Sequence, residues 1–486
     1  MTLISGADPV TASLDAFATI PDWLAAPMHG ERVAASLRTH VPDLAVGRLE
    51  LLSCAPERLR AKESEWVARF RLSVRGPGGE PRDVVLVGLL WAPGAGVPDD
   101  TGTSPLGTFG TEAWSGWLPD LGLQLRHETS DEALPALPTL TEPGPAAALL
   151  QPVLRDAGYA GATIATCDPV VVRYKPGSRC TVVVGLTYAV PEAPAADGAP
   201  EPPGTVVLKT HQGDKGQTAW DAMTALWERD SWRGALDLAE PLAFLPEERI
   251  LVQGPVAEDL TLKELARMAF AEGTPELLGA LRTALAQTGR ALATLHRSGA
   301  AYGRTATFED EVAEVREVID RLAVTVPELS GAAGALLHRL EERAADHPAD
   351  PVVPAHHDFR PAQVLLHGDG LGFIDFDGAS MAEPALDLGR FRAKLRDIGI
   401  SSLLWTGAPI AGRPLEDNLA LLDDLCELFL ASYLEHAEVS RERVALWESC
   451  DLLTGMLHAW TKVRLARLEP RLAILHHQLR SSGVTT

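Results

Sequence analysis

The sequence predicts an α+β protein, and three observations carry that reading. Residues 65–74 and 84–90 show the alternation or short apolar runs of buried strands, as do 169–190 and 206–209. From Leu260 onward the pattern turns helical, with Leu281, Leu285, Leu292 and Leu295 recurring on one face. The two strand-rich stretches also parallel each other. Ser53-Cys54-Ala55-Pro56 and Thr166-Cys167-Asp168-Pro169 each precede a long strand, a Pro/Gly-rich connection and a Val-Val-Leu strand. This is the pattern of an internal repeat.

Length and composition bound the function. A chain of 486 residues with 46% hydrophobic content has room for two or three cores. A net charge of -23 disfavours non-specific binding to nucleic acid or to an anionic membrane, since both need basic patches. Five scattered cysteines lack metal-ligand spacing and read as reduced thiols. There is no leader-like N-terminus and no apolar run long enough to span a bilayer, so a cytoplasmic location is expected.

Taken in order, Leu24–Leu37 is expected to be partly helical, with Pro27 delaying its start. Two strands follow, then a Gly/Pro/Asp-rich loop from 91 to 110. Thr141-Glu142-Pro143-Gly144-Pro145 opens a linker that leads into a short Ala/Leu helix. Strands at 169–175 and 180–190 flank the turn Lys175-Pro176-Gly177-Ser178-Arg179, whose amides and cationic side chains suit an anion. Pro191–Gly204 reads as a surface insertion. Lys209 ends the Val-Val-Leu strand, and a lysine there needs a partner if buried. In the first stretch the matching position is Val87. A helix is expected over 217–229 and a strand over 248–256. Helices are then expected over 310–346, 386–398, 415–436 and 440–468. Their acids, Glu416, Asp417, Asp423, Asp424 and Glu427, read first as a solvated face, and Trp405 and Trp460 as sugar-stacking or core residues.

The chemistry concentrates in His356-His357-Asp358-Phe359-Arg360-Pro361-Ala362-Gln363 and in Ile374-Asp375-Phe376-Asp377. Between them His367-Gly368-Asp369-Gly370-Leu371 predicts a tight hairpin that brings Asp358, Gln363 and Asp375 together. One carboxylate to orient a hydroxyl, with a carboxamide and a second carboxylate to hold a divalent ion, suits phosphoryl transfer.

These residues, with Pro384-Ala385-Leu386-Asp387-Leu388, resemble the catalytic loop and metal-binding aspartate of the aminoglycoside phosphotransferase family. That family is a small-molecule branch of the protein-kinase-like fold. The resemblance covers about residues 160 to 400. It implies a bilobal kinase-like fold with an extra N-terminal α+β cap. The cap would be residues 1–140, a degenerate repeat of the nucleotide lobe that binds no nucleotide. A linker at 141–158, a nucleotide-binding lobe at 159–256 and a helical acceptor lobe at 257–486 would follow.

The resemblance also implies the site. Asp358 would be the base and Arg360 would neutralise phosphate or brace the loop. Gln363 and Asp375 would bind Mg2+, and Asp377 would contact metal or substrate. Lys209 would hold the ATP phosphates, with Asp221 as its acidic partner and Glu228 as the rival. Lys175, Gly177 and Ser178 would cover the phosphates. Gln253 and Val256 would border adenine in the hinge. His356 and Asp387 would brace the catalytic loop. The family more often has Asn where this chain has Gln363. That variant and the cap are similar to maltokinase-like and glucosamine kinase-like members, implying a sugar or amino sugar as acceptor. An aminoglycoside antibiotic, a peptide natural product and a catalytically silent nucleotide-binding pseudokinase are the alternatives.

Overall fold

A computed structural model of the chain describes residues 13–62, 65–93, 109, 114–127, 134–159, 161–175, 177–189, 201–229, 231–405 and 415–483. The expected loop at 91–110 and the insertion at 191–204 fall largely outside them. Two compact units emerge. One holds residues 1–130, 312–343 and 450–486, and the other 131–311 and 344–449.

The first unit contains an antiparallel sheet of β1 (Glu50–Lys62), β2 (Glu65–Arg75), β3 (Arg82–Leu90), β4 (Ser115–Leu118) and β5 (Leu123–His127). Its strand order is β1-β2-β3-β5-β4. The alternation in β2 is the burial pattern: Trp66, Ala68, Phe70, Leu72 and Val74 are all buried. The helix Gly30–His40 packs beside the sheet, after shorter turns at Asp22–Ala25 and Ala26–Met28 that accommodate Pro27. The Trp460 indole N–H donates to Phe17 O at 3.0 Å, and the ring is buried. It therefore packs a core, and sugar stacking by Trp460 is ruled out.

The second unit begins with a matching sheet of β6 (Ile164–Lys175), β7 (Arg179–Tyr188), β8 (Thr205–His211), β10 (Pro241–Leu245) and β11 (Ile250–Gln253). Its order is β10-β11-β8-β7-β6, the same path as the first sheet, and every pairing in both is antiparallel. The first strand of each sheet carries a register shift at the same point, between Leu51 and Ser53 and between Ile164 and Thr166. Each shift immediately precedes the Cys-x-Pro segment. The repeat is thus visible in topology as well as in residues. In the second copy the helix Lys215–Trp227 stands between β8 and β10.

Residues 143–156, expected as linker and short helix, form a full helix, Pro143–Asp156. Leu150, Val153 and Leu154 on it join Val182, Val184, Val206, Leu208, Ile250 and Val252 in one buried cluster. Pro143 and Pro145 read as breakers, yet both lie in the first turn, where no helical N–H is lost.

Beyond the sheet lie a four-stranded sheet, β12 (Leu260–Thr261), β14 (Val364–His367), β15 (Gly370–Phe373) and β9 (Asp237–Leu238), and the pair β13 (Val353–Ala355) with β16 (Ser380–Ala382). The helices Leu262–Glu272, Pro275–His296, Ala385–Trp405 and Leu415–Leu434 surround them. Leu262–Glu272 opens with a capping box, Thr261 with Glu264, and closes on Gly273 at φ 66°. No helix among the described residues is long and apolar enough to cross a membrane.

Helices Pro275–His296 and Leu415–Leu434 meet at Gly289, where an added Cβ would sit 2.5 Å from Phe429 O and 3.1 Å from Tyr433 N. Helix propensity alone makes Gly→Ala stabilising by about 1 kcal/mol. Overpacking against backbone outweighs it, so Gly289→Ala should destabilise by roughly 1–3 kcal/mol. A urea midpoint that rises instead would show that the helices do not approach so closely.

Candidate functional site

The hairpin β14–β15 pairs Val364 with Phe373 and His367 with Gly370, and Gly368 takes the turn at φ 50°. Gly372 lies against Val256, leaving no room for a Cβ. The single turn Pro361–Gln363 leads into β14, and Asp375 leaves β15. This places Gln363 Nε2 3.2 Å from Asp358 Oδ2 and 3.5 Å from Asp375 Oδ2. Asp358, Gln363 and Asp375 therefore converge. His357 and Asp375 carry φ values of 69° and 75°, a left-handed backbone unusual outside glycine and frequent at functional loops.

Asp387 holds the loop that carries Asp358. Its Oδ2 accepts the His356 N–H at 2.7 Å, and its Oδ1 accepts the His357 N–H at 2.8 Å. His296 Nε2 lies 3.1 Å from Oδ2, and its Nδ1 2.9 Å from the Tyr433 hydroxyl. Burial pushes the Asp387 carboxyl up, but the bond from His296 and its charge, with the His356 contacts, bring it below its ordinary value. The His356 ring meets Ile374 O at 2.9 Å, tying the loop to the strand that leads to Asp375. Neighbouring Glu383 is buried against Arg443 and accepts the Trp447 N–H at 2.6 Å.

Lys209 lies on the central strand β8, opposite Thr181 of β7 and Leu251 of β11. It is buried, and its Nζ sits 3.1 Å from Asp375 Oδ1 and 3.9 Å from Asp377 Oδ1. Burial draws the Lys209 pKa down, and the two aspartates overcome this, for a net rise. Burial raises the Asp375 carboxyl, and Lys209 and Arg179 hold it well below the usual carboxylate range.

The acidic partner of Lys209 is thus Asp375, with Asp377 behind it, which corrects the expectation of Asp221 or Glu228. Both of those side chains are exposed, and Asp221 accepts from Gln217 at 2.7 Å. The inward face of Lys215–Trp227 is Gly216, Ala219, Ala222, Met223 and Leu226, so no carboxylate on it faces the lysine.

Two further residues join this cluster: His211, which the sequence reading did not name, and Arg179, which it placed in the anion-facing turn. His211, two residues beyond Lys209 on the same face of β8, lies 2.7 Å from Asp377 Oδ2. Its cross-strand neighbour Arg179 reaches Asp375 Oδ2 and Asp377 Oδ2, each at 3.3 Å. Period-two spacing from Lys209 would have found the first, and pairing across the turn the second.

The other expected residues are placed as follows. Arg360 pairs with Asp358 at 2.9 Å. Lys175 is exposed, Pro176 lies outside the described residues, and Gly177 takes φ 64°. The Ser178 N–H donates to Lys175 O at 3.0 Å within the turn, so that amide is already used. Gln253 is buried in β11 opposite Val207, and the following Gly254 N–H donates to Glu240 O at 2.8 Å. Among the acids proposed for the acceptor, Asp423 pairs with Arg396 and Glu427 with Arg441, while Glu416, Asp417 and Asp424 are exposed. The Trp405 side chain lies outside the described residues.

The donors suit magnesium. Gln363 Oε1 is buried without a hydrogen-bond partner, and a half-turn of that amide presents it to both carboxylates. Hard oxygen donors from Asp375, Asp377 and Gln363 are the class this ion takes. Among the described residues no cluster of three His, Cys, Asp or Glu side chains forms an alternative metal site.

Two predictions concern the loop. Asp387→Asn turns an amide donor toward backbone donors, and should cost about 2 kcal/mol or more, read as a lower melting temperature. Burial, with Arg390 next, pushes the His357 pKa down to about 4, so its ring is neutral when folded. Unfolding then takes up a proton below pH 6.5, the ordinary value. This contribution is intact above pH 6.5 and is lost as pH falls toward about 4. His357→Gln should flatten that part of the melting temperature against pH curve relative to wild type.

Part of the chain is similar to known proteins. The phosphotransferase enzyme family model (APH) matches residues 204–404, which span β8, the hairpin β14–β15 and Asp387. No curated protein matches the chain. Similar solved structures include a glucosamine kinase at 17% identity, covering 88% of this chain and 91% of that one, with a TM-score of 0.46. A thermostable mutant of an aminoglycoside phosphotransferase shares 13% identity over 68% of this chain and 98% of its own, with a TM-score of 0.42. A choline/ethanolamine kinase family protein from Mesorhizobium loti shares 17% over 62% and 88%, with a TM-score of 0.41. Residues 204–404, with β8, the hairpin β14–β15 and Asp387, are thus the part of the chain that matches the phosphotransferase enzyme family, on a kinase-like α+β fold.

Proposed function

We propose that the chain is an ATP- and magnesium-dependent kinase that phosphorylates a hydroxyl of a small molecule, a sugar or amino sugar. The observation that carries this reading is the convergence of Asp358, Gln363 and Asp375 beneath Lys209. Residues 159–256 act as the nucleotide lobe, with the hinge at Gln253 to Val256 against adenine. The helices from 257 on shape the acceptor pocket. Residues 1–140 cap the enzyme and bind no nucleotide, because Val87 stands where the second copy has Lys209. A cytoplasmic location fits the ATP requirement.

Asp358 orients the acceptor hydroxyl and takes its proton as the oxygen attacks the γ-phosphorus and the bond to the leaving ADP oxygen breaks. General-base help of this kind contributes roughly 10²- to 10⁴-fold. Arg360, paired with Asp358, would neutralise the transferred phosphoryl group or brace the loop. Lys209 fixes the phosphates of the donor. Gln363 and Asp375 would hold magnesium, which supplies positive charge to the phosphate oxygens. Alignment and charge neutralisation thus account for most of the rate.

The preference for a sugar or amino sugar rests on Gln363 in place of the more frequent Asn and on the cap. An ADP-release assay with sugars, amino sugars, aminoglycosides and peptides tests it. Magnesium-dependent release stimulated by a sugar or amino sugar is expected. Release stimulated only by an aminoglycoside or a peptide would reassign the acceptor, and none with any acceptor would leave a nucleotide-binding pseudokinase. Asp358→Asn should keep ATP affinity and the fold while lowering turnover by about two orders of magnitude or more. Unchanged turnover would remove Asp358 from the mechanism.

A further inference from the structure

Two cations already occupy the carboxylates that a metal would need. Arg179 Nη1 lies 3.3 Å from Asp375 Oδ2, 3.5 Å from its Oδ1 and 3.3 Å from Asp377 Oδ2. Lys209 Nζ lies on Asp375 Oδ1. The side chains of Arg179, Lys209, Asp375 and Asp377 are between 9% and 17% exposed, so their charges are poorly screened. Two positive and two negative groups balance there. A divalent cation arriving alone must either expel Arg179 without a new partner or share the carboxylates with it. Both are unfavourable where water is scarce. A nucleotide arriving alone would bring phosphates against two carboxylates. A metal–nucleotide complex solves both problems, because the metal takes the carboxylates and a phosphate takes the guanidinium.

The geometry allows that exchange. Arg179 is the first residue of β7, directly after the turn at Gly177. It is the cross-strand neighbour of His211, which itself sits 2.7 Å from Asp377. Its planar donor fork suits carboxylate and phosphate equally.

We propose that Arg179 couples divalent-cation binding to nucleotide binding. It occupies Asp375 and Asp377 until a metal–nucleotide complex arrives, and then moves onto the phosphates. The inference rests on the reading of this site as a metal–nucleotide site. It adds that the metal enters with the nucleotide and binds poorly before it.

The test uses the full chain and Mn2+ as a magnesium substitute, with free Mn2+ read by electron paramagnetic resonance. Without nucleotide, wild type should bind Mn2+ weakly and Arg179→Gln about tenfold more tightly, within the usual range of site-to-site coupling. Arg179→Lys keeps one competing cation and should resemble wild type. Circular dichroism and thermal melts check that each variant is folded. A fluorescent ADP analogue measures the same coupling from the other side, and its gain in affinity from Mn2+ should shrink in Arg179→Gln. In wild type alone, Mn2+ should bind at least about tenfold more tightly with ADP present than without it. Equal Mn2+ affinity with and without ADP in wild type overturns the proposal, whether or not the variants fold. So does an Arg179→Gln affinity for Mn2+ within about twofold of wild type, given a coupling range of 5–150-fold. Absence of any Mn2+ or ADP binding in wild type would sink the metal–nucleotide reading itself. That result is distinct from tight Mn2+–ADP binding with no effect of Arg179, which sinks the coupling alone.

Discussion

The structure of the second unit depends on one buried lysine and the carboxylates that receive it. Lys209 sits mid-sheet between two apolar strands, where an isolated ammonium would be strongly unfavourable. Asp375 and Asp377 supply the compensation from a segment more than 160 residues later. The ion pair is weak evidence for net stability, because desolvating two charges cancels much of their attraction. What it enforces is position. Breaking it on either side leaves an unpaired buried charge, so the end of β15 is held against the face of β8.

A second buried carboxylate does the same for the loop that carries Asp358. Asp387 accepts two successive backbone N–H groups, and with the His356 ring on Ile374 O it fixes residues 356–358 relative to β15. The unusual backbone at His357 and Asp375 is maintained by these bonds. The three converging side chains are thus held in place by buried partners around them, as a preorganised site requires.

Much of this was legible in residues. The spacing of Asp358, Gln363 and Asp375 around a Gly-Asp turn forecasts their convergence, because a two-residue hairpin leaves few registers. The doubled Cys-x-Pro and Val-Val-Leu segments forecast two sheets of one topology. Other features were not legible. The helix Pro143–Asp156 hid behind its prolines. Asp221 carried the right charge and spacing for a lysine partner, but a helix displays acids on its outer face as readily as its inner one. Arg179 read as a cation of the anion-facing turn, not as a partner of Asp375 and Asp377. The division of the chain was also hidden, since residues 312–343, which interrupt the second unit in sequence, and 450–486, which follow it, group with the first unit.

The sequence by itself determined the strand and helix periods, the turn chemistry and the set of groups available for phosphoryl transfer. These are local properties, set by backbone sterics and by the alternation of apolar and polar side chains over a few residues. Only the tertiary structure decided which charges meet. Pairing between Lys209 and Asp375 or between Arg179 and Asp377 depends on loop closures spanning many residues, and on which face of each strand or helix turns inward. That choice is made by burying the most apolar surface, so the acid that ends beside a buried lysine is the one whose backbone the core brings there.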